Sequence, residues 1–270
     1  MSVIEAIILG LIQGLTEFLP VSSSGHLFLG QTLLGIESEE PLLFTIVVHF
    51  ATALSTVVVF RKDIANILID LFKFKKNEGS NFSLLIVLSM IPAVIVGLKL
   101  EDAIDNITKP ENQNLGLVVV GCCLLLTAGL LYFSHRKAQG TLAVGFKHAI
   151  VVGIAQAIAT LPGVSRSGAT IATGLLLGLT RENAARFSFL MVVPLIFGVM
   201  AKKGLDIYKG DAVIGDTNTL ALVAGFFAAF LAGWAACTWM INIVKKAKLS
   251  YFALYCLIVG LISIGSVAFF

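Results

Sequence analysis

The chain has 270 residues, 57% of them hydrophobic and 13% charged, with mean hydropathy +0.96. A soluble domain carries about 25% charged residues, so the composition excludes an ordinary water-soluble globule. It points to an all-α polytopic membrane protein rather than a barrel of short alternating strands. A formal net charge of +3 gives no reason to expect a nucleic-acid partner.

The N-terminus has no Lys or Arg ahead of its apolar run and carries Glu5, so it does not read as a cleaved signal peptide. Residues 3–19 are apolar but short for a span, and residues 22–35 are shorter still. Together they predict a re-entrant hairpin of two half-helices, broken at Pro20 because proline cannot continue the helical hydrogen-bond ladder. Backbone of that kind is tolerated at membrane depth only where protein or a polar cavity covers it. Spans are predicted over 41–60, 82–100 and 114–134. A second hairpin follows over 147–162 and 166–179, and three more spans over 182–201, 217–243 and 250–269. The expected architecture is therefore six transmembrane helices plus two re-entrant hairpins in one membrane domain, 1–270, with halves of about 1–134 and 147–270. The four cysteines, Cys122, Cys123, Cys237 and Cys256, fall in apolar runs without a CxxC spacing and read as packing residues.

Basic residues cluster in alternate connections. Arg61, Lys62, Lys73, Lys75 and Lys76 lie in 61–81; Arg136, Lys137 and Lys147 in 135–147; Arg181 and Arg186 in 180–186; Lys245, Lys246 and Lys248 in 244–250. Acids lean the other way, with Glu37, Glu39 and Glu40 before the first span and Glu101, Asp102, Asp105 and Glu111 after the second. The positive-inside rule places the basic segments in the cytoplasm and both termini outside. Three spans separate the hairpins, which then enter from opposite sides.

Shifting the chain by 143 residues tests this inversion. Gly10 meets Gly153 and Gln13 meets Gln156; Val21, Ser22, Ser24 and Gly25 meet Val164, Ser165, Ser167 and Gly168. Leu33, Leu34 and Gly35 meet Leu176, Leu177 and Gly178, and Glu39, Phe44 and Asp63 meet Glu182, Phe187 and Asp206. A one-residue slip is needed where Leu19–Pro20 faces Leu161–Pro162. Inverted-topology repeats with broken helices place a binding site near the midplane, where the repeats meet.

Two charges are left inside. Arg166 is the one Lys or Arg away from the span ends, and Glu17 the one acid deep in an apolar stretch. A central charge costs about 2.5–3.5 kcal/mol on insertion scales, so each needs a polar partner. A mutual salt bridge answers that need but does not explain the hydroxyls around them. Ser22 and Ser165 each follow a proline-containing break and read as N-caps. Capping alone accounts for such serines. If the two hairpin tips meet, however, two helix N-termini face one cavity and favour an anion. Arg166 adds a planar fork suited to phosphate. Gln13 and Glu17 are four apart and share a helix face, so Glu17 is a candidate ligand of a divalent cation, Mg²⁺ or Ca²⁺, with the Gln13 carbonyl as second ligand. Ser23 and His26 are three apart; serine, imidazole and carboxylate together make an activated nucleophile. His49 has no polar neighbour in sequence and reads as a packed histidine, while His135 and His148 sit near basic loop ends. Trp234, Trp239 and Tyr251 fit packing or an interfacial belt.

At these residues the chain resembles a known family. Gln13-Gly-Leu-Thr-Glu17, followed by FLPVSSSGH, is similar to the (E/Q)xxxE region of the bacterial undecaprenyl-diphosphate phosphatases, also called bacitracin-resistance proteins. Pro162-Gly-Val-Ser-Arg-Ser-Gly-Ala-Thr170 matches their PGxSRSxxT motif at every fixed position. The resemblance implies a bacterial inner-membrane enzyme that removes one phosphate from undecaprenyl diphosphate with a divalent cation. It implies Glu17 as the essential carboxylate, with Gln13 at a position that is Glu or Gln in the family. It sets Ser23 and His26 on the candidate nucleophile and acid/base, and Ser165, Arg166, Ser167 and Thr170 on the diphosphate-binding loop, with Ser22 and Ser24 beside them. Ser23, His26 and a metal-bound water that attacks directly remain alternative nucleophiles. A secondary transporter or flippase for an anion or polyprenyl phosphate lipid is the rival reading, and homo-oligomerisation is open.

Overall fold

The structure, a computed structural model, describes residues 1–35, 41–72, 78–137, 140–209, 218–246 and 249–268. Among these residues the chain is helical, with no strand beyond one isolated bridge between Leu142 and Leu179. Two short helices come first, α1 (Val3–Phe18) and α2 (Ser23–Leu33). Then follow α3 (Pro41–Val59), α4 (Arg61–Phe72), α5 (Glu78–Ile107) and α6 (Gln113–Arg136). A second short pair, α7 (Phe146–Ile158) and α8 (Arg166–Leu176), precedes α9 (Arg181–Lys209), α10 (Thr219–Lys246) and α11 (Leu249–Ser266).

Five stretches are long and apolar enough to cross a membrane: Gly79–Leu100, Gln113–Arg136, Arg181–Lys202, Thr219–Val244 and Leu249–Ser266. The expected span over 41–60 is real as a helix but not straight in its context. α3 meets α4 at a 77° bend, and the two pass the same test only as a bent pair. The basic segment after residue 60 thus begins as a helix rather than a loop. Pro92 and Pro194 lie inside α5 and α9 without ending them. The protein is a multi-pass membrane protein. Its outer surface agrees: Leu84, Val87 and Leu98 on α5 and Leu254, Leu261 and Ile262 on α11 are all more than half exposed, a large apolar surface that lipid would cover.

Small residues set the closest helix contacts, as expected where the packing drive is van der Waals approach rather than escape from water. A Cβ on Gly10 would lie 2.5 Å from the Gly225 carbonyl oxygen, and one on Gly14 2.6 Å from that of Ala229. α1 is therefore pressed backbone to backbone on α10. α7 is pressed on α5 in the same manner, since a Cβ on Gly153 would lie 2.5 Å from the Ser89 oxygen. α6 and α11 meet at Gly121 and Gly260. The first helix of each short pair is thereby held against a long one, and the broken ends of the pairs converge inside a cluster that includes Phe18, Val21, Phe28, Val120, Leu124 and Ile171.

Candidate active site

α1 ends at Phe18 and α8 begins at Arg166, and the break after each hairpin's first helix turns its tip inward. The tips touch. A Cβ on Gly25 would lie 3.1 Å from the Gly163 Cα, and Gly163 itself adopts φ +97° hard against the Val120 backbone. That left-handed conformation, with 2.5 Å from a would-be Cβ to the Val120 oxygen, requires glycine. Ser167 Oγ, 5% exposed as a residue, donates to the Leu19 carbonyl at 3.0 Å and ties α8 to the first hairpin's break.

Glu17 is the centre of the junction. Its side chain is 4% exposed. Arg166 Nη2 donates to Oε1, bringing the two interior charges into one ion pair across the two hairpins. Oε2 accepts from Gln13 Nε2 at 2.8 Å and from Ser23 Oγ at 2.6 Å. A carboxylate with this many donors, one of them a guanidinium, has the partners that burial demands. The other end of the Gln13 amide differs: Oε1 is buried with no hydrogen-bond partner.

Both restarted helices are capped by serine. Ser22 Oγ accepts from Gly25 N at 3.3 Å, and Ser165 Oγ accepts from Gly168 N at 3.0 Å. Ser165 N donates in turn to Thr127 Oγ1 on α6 at 3.0 Å. Ser24 Oγ lies 3.4 Å from Ser22 Oγ, and Ser167 Oγ 3.3 Å from Ser165 Oγ. Thr170 faces away from the tip: its hydroxyl donates to the Arg166 carbonyl at 2.7 Å and pairs with Ser188 Oγ at 2.7 Å, bracing the first turn of α8 against α9.

The structure does not bring Ser23 and His26 together as a pair. Ser23 Oγ donates a hydrogen bond to Glu17, six residues back across the break. His26 turns the other way. Its Nδ1 donates to the Ser22 carbonyl at 2.8 Å, and its Nε2 meets the Tyr255 hydroxyl on α11 at 2.8 Å. The cause is local: Ser22 sits at φ 72°, ψ 99°, the one non-glycine residue with positive φ among those described, and its carbonyl then accepts from both the amide and the ring of His26. His49, expected to be a packed histidine, instead reaches the site from α3, with Nε2 4.0 Å from Glu17 Oε2. Tyr255, Thr127 and Ser188 are further polar residues at the site that sequence reasoning did not single out. Tyr255 and Thr127 lie on helices remote in sequence, Ser188 lies on the helix that follows α8, and no local spacing marks any of them.

The donor set bears on the expected cation. No group of three His, Cys, Asp or Glu positioned for a metal occurs among the described residues. Glu17 brings a carboxylate whose oxygens already accept from Arg166, Gln13 and Ser23, and Gln13 adds a buried Oε1 without a partner. Mg²⁺ is commonly held by one or two carboxylates together with substrate phosphates, so these residues fit a cation that arrives with, or is completed by, a phosphate ligand.

The family model described as bacitracin resistance protein BacA matches residues 6–262. The chain belongs to this family. Curated relatives cover nearly all of it: it is 55% identical over 266 residues to the undecaprenyl-diphosphatase of Christiangramia forsetii, covering 98% of each chain. It is 54% identical over 261 residues to that of Bacteroides fragilis, covering 96% of each. A more distant undecaprenyl-diphosphatase, from Methanosphaera stadtmanae, is 39% identical over 282 residues, with 98% coverage of both. The BacA match spans both hairpins, so the Glu17–Arg166 junction lies wholly inside the family's extent.

Proposed function

We infer that the protein is an undecaprenyl-diphosphate phosphatase, which hydrolyses the lipid diphosphate to undecaprenyl phosphate and inorganic phosphate. This recycles the lipid carrier for cell-wall synthesis and underlies bacitracin resistance. Relatives above half identity over nearly the full length carry that activity in their names. The single structural observation that supports it is the Ser23–Glu17–Arg166 chain of contacts: a hydroxyl on a carboxylate, with a phosphate-binding guanidinium on the carboxylate's other oxygen.

In this reading the diphosphate enters at the N-termini of α2 and α8. Their first amides have no intrahelical partner and favour an anion. Ser23 Oγ attacks the terminal phosphorus while Glu17 takes its proton, and water later releases phosphate from the serine. Arg166 keeps further guanidinium N–H groups for the phosphoryl oxygens as negative charge spreads over them. Ser22 and Ser165 hold the two helix starts in place, and Ser24, Ser167 and Thr170 support them. A Mg²⁺ or Ca²⁺ ion held by Glu17 and Gln13 would neutralise charge on the diphosphate.

The inverted repeat with two re-entrant hairpins belongs to this proposal. The packing supports it. Exchanging the halves turns the α1–α10 contact into α7–α5 and α3–α10 into α9–α5, and it returns α6–α11 to itself; every one of these contacts is present. The same relation pairs α2–α11, joined by His26 and Tyr255, with α8–α6, joined by Ser165 and Thr127. The placement in the cytoplasmic membrane with both termini outside rests on the basic connections.

That repeat also favours the second reading, transport of an anion or of a polyprenyl phosphate lipid. One assay separates the two. Purified protein in detergent, given undecaprenyl diphosphate and Mg²⁺ or Ca²⁺, releases inorganic phosphate, and a chelator stops the release. Folded protein that binds the lipid without releasing phosphate would leave transport standing and remove the enzyme.

A further inference from the structure

α3 and α4 pass for one broken span, yet α4 carries Arg61, Lys62, Asp63, Asn66 and Asp70 within 12 residues. Charges at that density are expensive inside a bilayer. α3 alone has 19 residues, which at about 1.5 Å each nearly cross a hydrocarbon core of about 30 Å. After the 77° bend α4 leaves the direction of that span. We propose that α4 lies in the membrane interface, with Leu68 and Ile69 in the acyl boundary and Arg61 and Lys62 on the phosphates of anionic lipids.

The two faces of α4 are unlike. On the inward face Ile64 and Ile67 pack against the main core cluster. Asp63 accepts from Arg186 Nε on α9 at 2.8 Å, and that guanidinium lies 5.1 Å from the centre of the Phe82 ring on α5. Asp70 turns toward the start of α5, since a Cβ on Gly79 would lie 2.5 Å from its Oδ2. Both acids of the helix are thus engaged inward, and α4 is pinned to two long helices. On the outward face Ala65, Leu68 and Ile69 share one side at i, i+3 and i+4, with Leu68 47% and Ile69 53% exposed. Arg61 stands one turn before Ala65, and Lys62 lies beside it; both are exposed, and neither has a carboxylate partner among the described residues. Lys73, Lys75 and Lys76 follow in sequence.

An apolar strip bounded by unpaired cations matches a bilayer surface. The aliphatic side chains sink, and the long basic ones reach up to phosphate. Water leaves Leu68 and Ile69 without a partner. A symmetric contact with a second copy of the chain would set the same cations against one another. An anionic lipid surface satisfies both parts of the face at once.

Two measurements test the placement and the headgroups. The first uses Cys122→Ser protein, whose other three cysteines are buried, in vesicles of phosphatidylcholine and phosphatidylglycerol. A nitroxide on Leu68→Cys or Ile69→Cys should be relaxed more by dissolved oxygen than by a water-soluble nickel chelate. Ile91→Cys on the exposed side of α5 marks the bilayer interior and Glu111→Cys marks water; the α4 labels should fall between them. Labels as open to the chelate as Glu111→Cys would put α4 in water, and labels as closed to it as Ile91→Cys would put it in a span. Labels shielded from both reagents would mean that protein covers the face. Each of these results overturns the placement.

In the second measurement, phosphatidylglycerol added to the detergent-solubilised protein should raise the unfolding temperature by several degrees where phosphatidylcholine does not, and high salt should weaken the effect. Arg61→Gln/Lys62→Gln should need about 10-fold more phosphatidylglycerol for the same rise. Lys109→Gln, at an exposed cation between α5 and α6, should respond like wild type. All three proteins should unfold alike without added lipid. An equal response to the two lipids, or a double variant that responds like wild type, would overturn the assignment of the headgroups. Should the double variant fail to fold, the nitroxide measurement still decides where α4 lies.

Discussion

The Tyr255 hydroxyl lies 2.8 Å from His26 Nε2, and the two rings stack 5.5 Å apart at 12° from parallel. Because Nδ1 already donates to the Ser22 carbonyl, Nε2 is the acceptor and the tyrosine is the donor. The contact joins the first hairpin to α11, near the other end of the chain. It holds His26 in one tautomer at the mouth of the junction. Tyr255→Phe keeps the stacking and removes the donor. A hydrogen bond of this kind contributes about 0.5–1.5 kcal/mol, so Tyr255→Phe should lose about that much stability, and Tyr255→Ala, which also removes the ring, should lose more. Unfolding temperatures of the two variants in detergent measure the difference. A Tyr255→Phe protein as stable as wild type would mean that this contact does not help to join the first hairpin to α11.

Glu17 and Arg166 form a buried ion pair that links the two hairpins, and removing one partner strands the other. Such a loss is expected to destabilise by about 3–5 kcal/mol, and activity should fall by about 10²-fold or more, since in the proposed mechanism Arg166 also serves the transferring phosphoryl. Arg166→Ala and Glu17→Ala should therefore lower both the unfolding temperature and kcat/KM. The double variant, which leaves no uncompensated charge, should unfold at a higher temperature than either single variant while staying inactive. Thermal unfolding in detergent, read beside phosphate release, separates the two effects. If the singles unfolded like wild type, the pair would not be holding the hairpins together.

How much of this was legible in the chain depends on where each residue's partners come from. Glu17, Ser23 and Arg166 stood out because each is a polar group in an apolar run, and the 143-residue echo set the two runs beside each other. Their convergence is a consequence of broken backbone, which proline and serine advertise locally. His49 and Tyr255 carry no such mark. Each sits in an ordinary apolar helix with no polar motif around it, and each matters only because α3 and α11 pack next to the hairpins. Spacing on α2 made Ser23 and His26 look like a pair, but the positive φ of Ser22 redirected the imidazole to its own backbone. The bend after α3 was likewise invisible: no proline or glycine stands at Phe60, and Pro92 and Pro194, which look like breaks, are absorbed inside α5 and α9.

Ser23 and Ser165 occupy unlike places despite their similar motifs. Ser23 Oγ is free of capping and donates to Glu17, whereas Ser165 Oγ caps α8. Ser23→Ala should leave the unfolding temperature nearly unchanged and abolish turnover to the level of a directly attacking water. Ser165→Ala should cost about 0.5–2 kcal/mol of stability through the lost cap and retain a larger share of activity. Trapping a phosphorylated residue during turnover and mapping it decides the nucleophile. Near-normal turnover in Ser23→Ala would remove the serine scheme.

The backbone contact of α1 with α10 sets where Glu17 stands, because Gly14 lies less than one turn before it on the same helix. A methyl group at Gly14 would sit 2.6 Å from the Ala229 carbonyl oxygen and 2.7 Å from the Ala232 Cβ, neither of which is the end of a flexible side chain. Gly14→Ala should therefore push α1 off α10, at a cost of about 1–3 kcal/mol from overpacking. The displacement would reach Glu17 and loosen its contacts with Ser23 and Arg166, lowering kcat more than KM. Gly97 is the control, since a Cβ there meets no atom within 4 Å and Gly97→Ala should preserve both stability and rate. Unfolding temperatures and steady-state kinetics on the two variants test the claim that this small-residue contact positions the carboxylate; a Gly14→Ala protein as stable and as fast as the Gly97→Ala one would refute it.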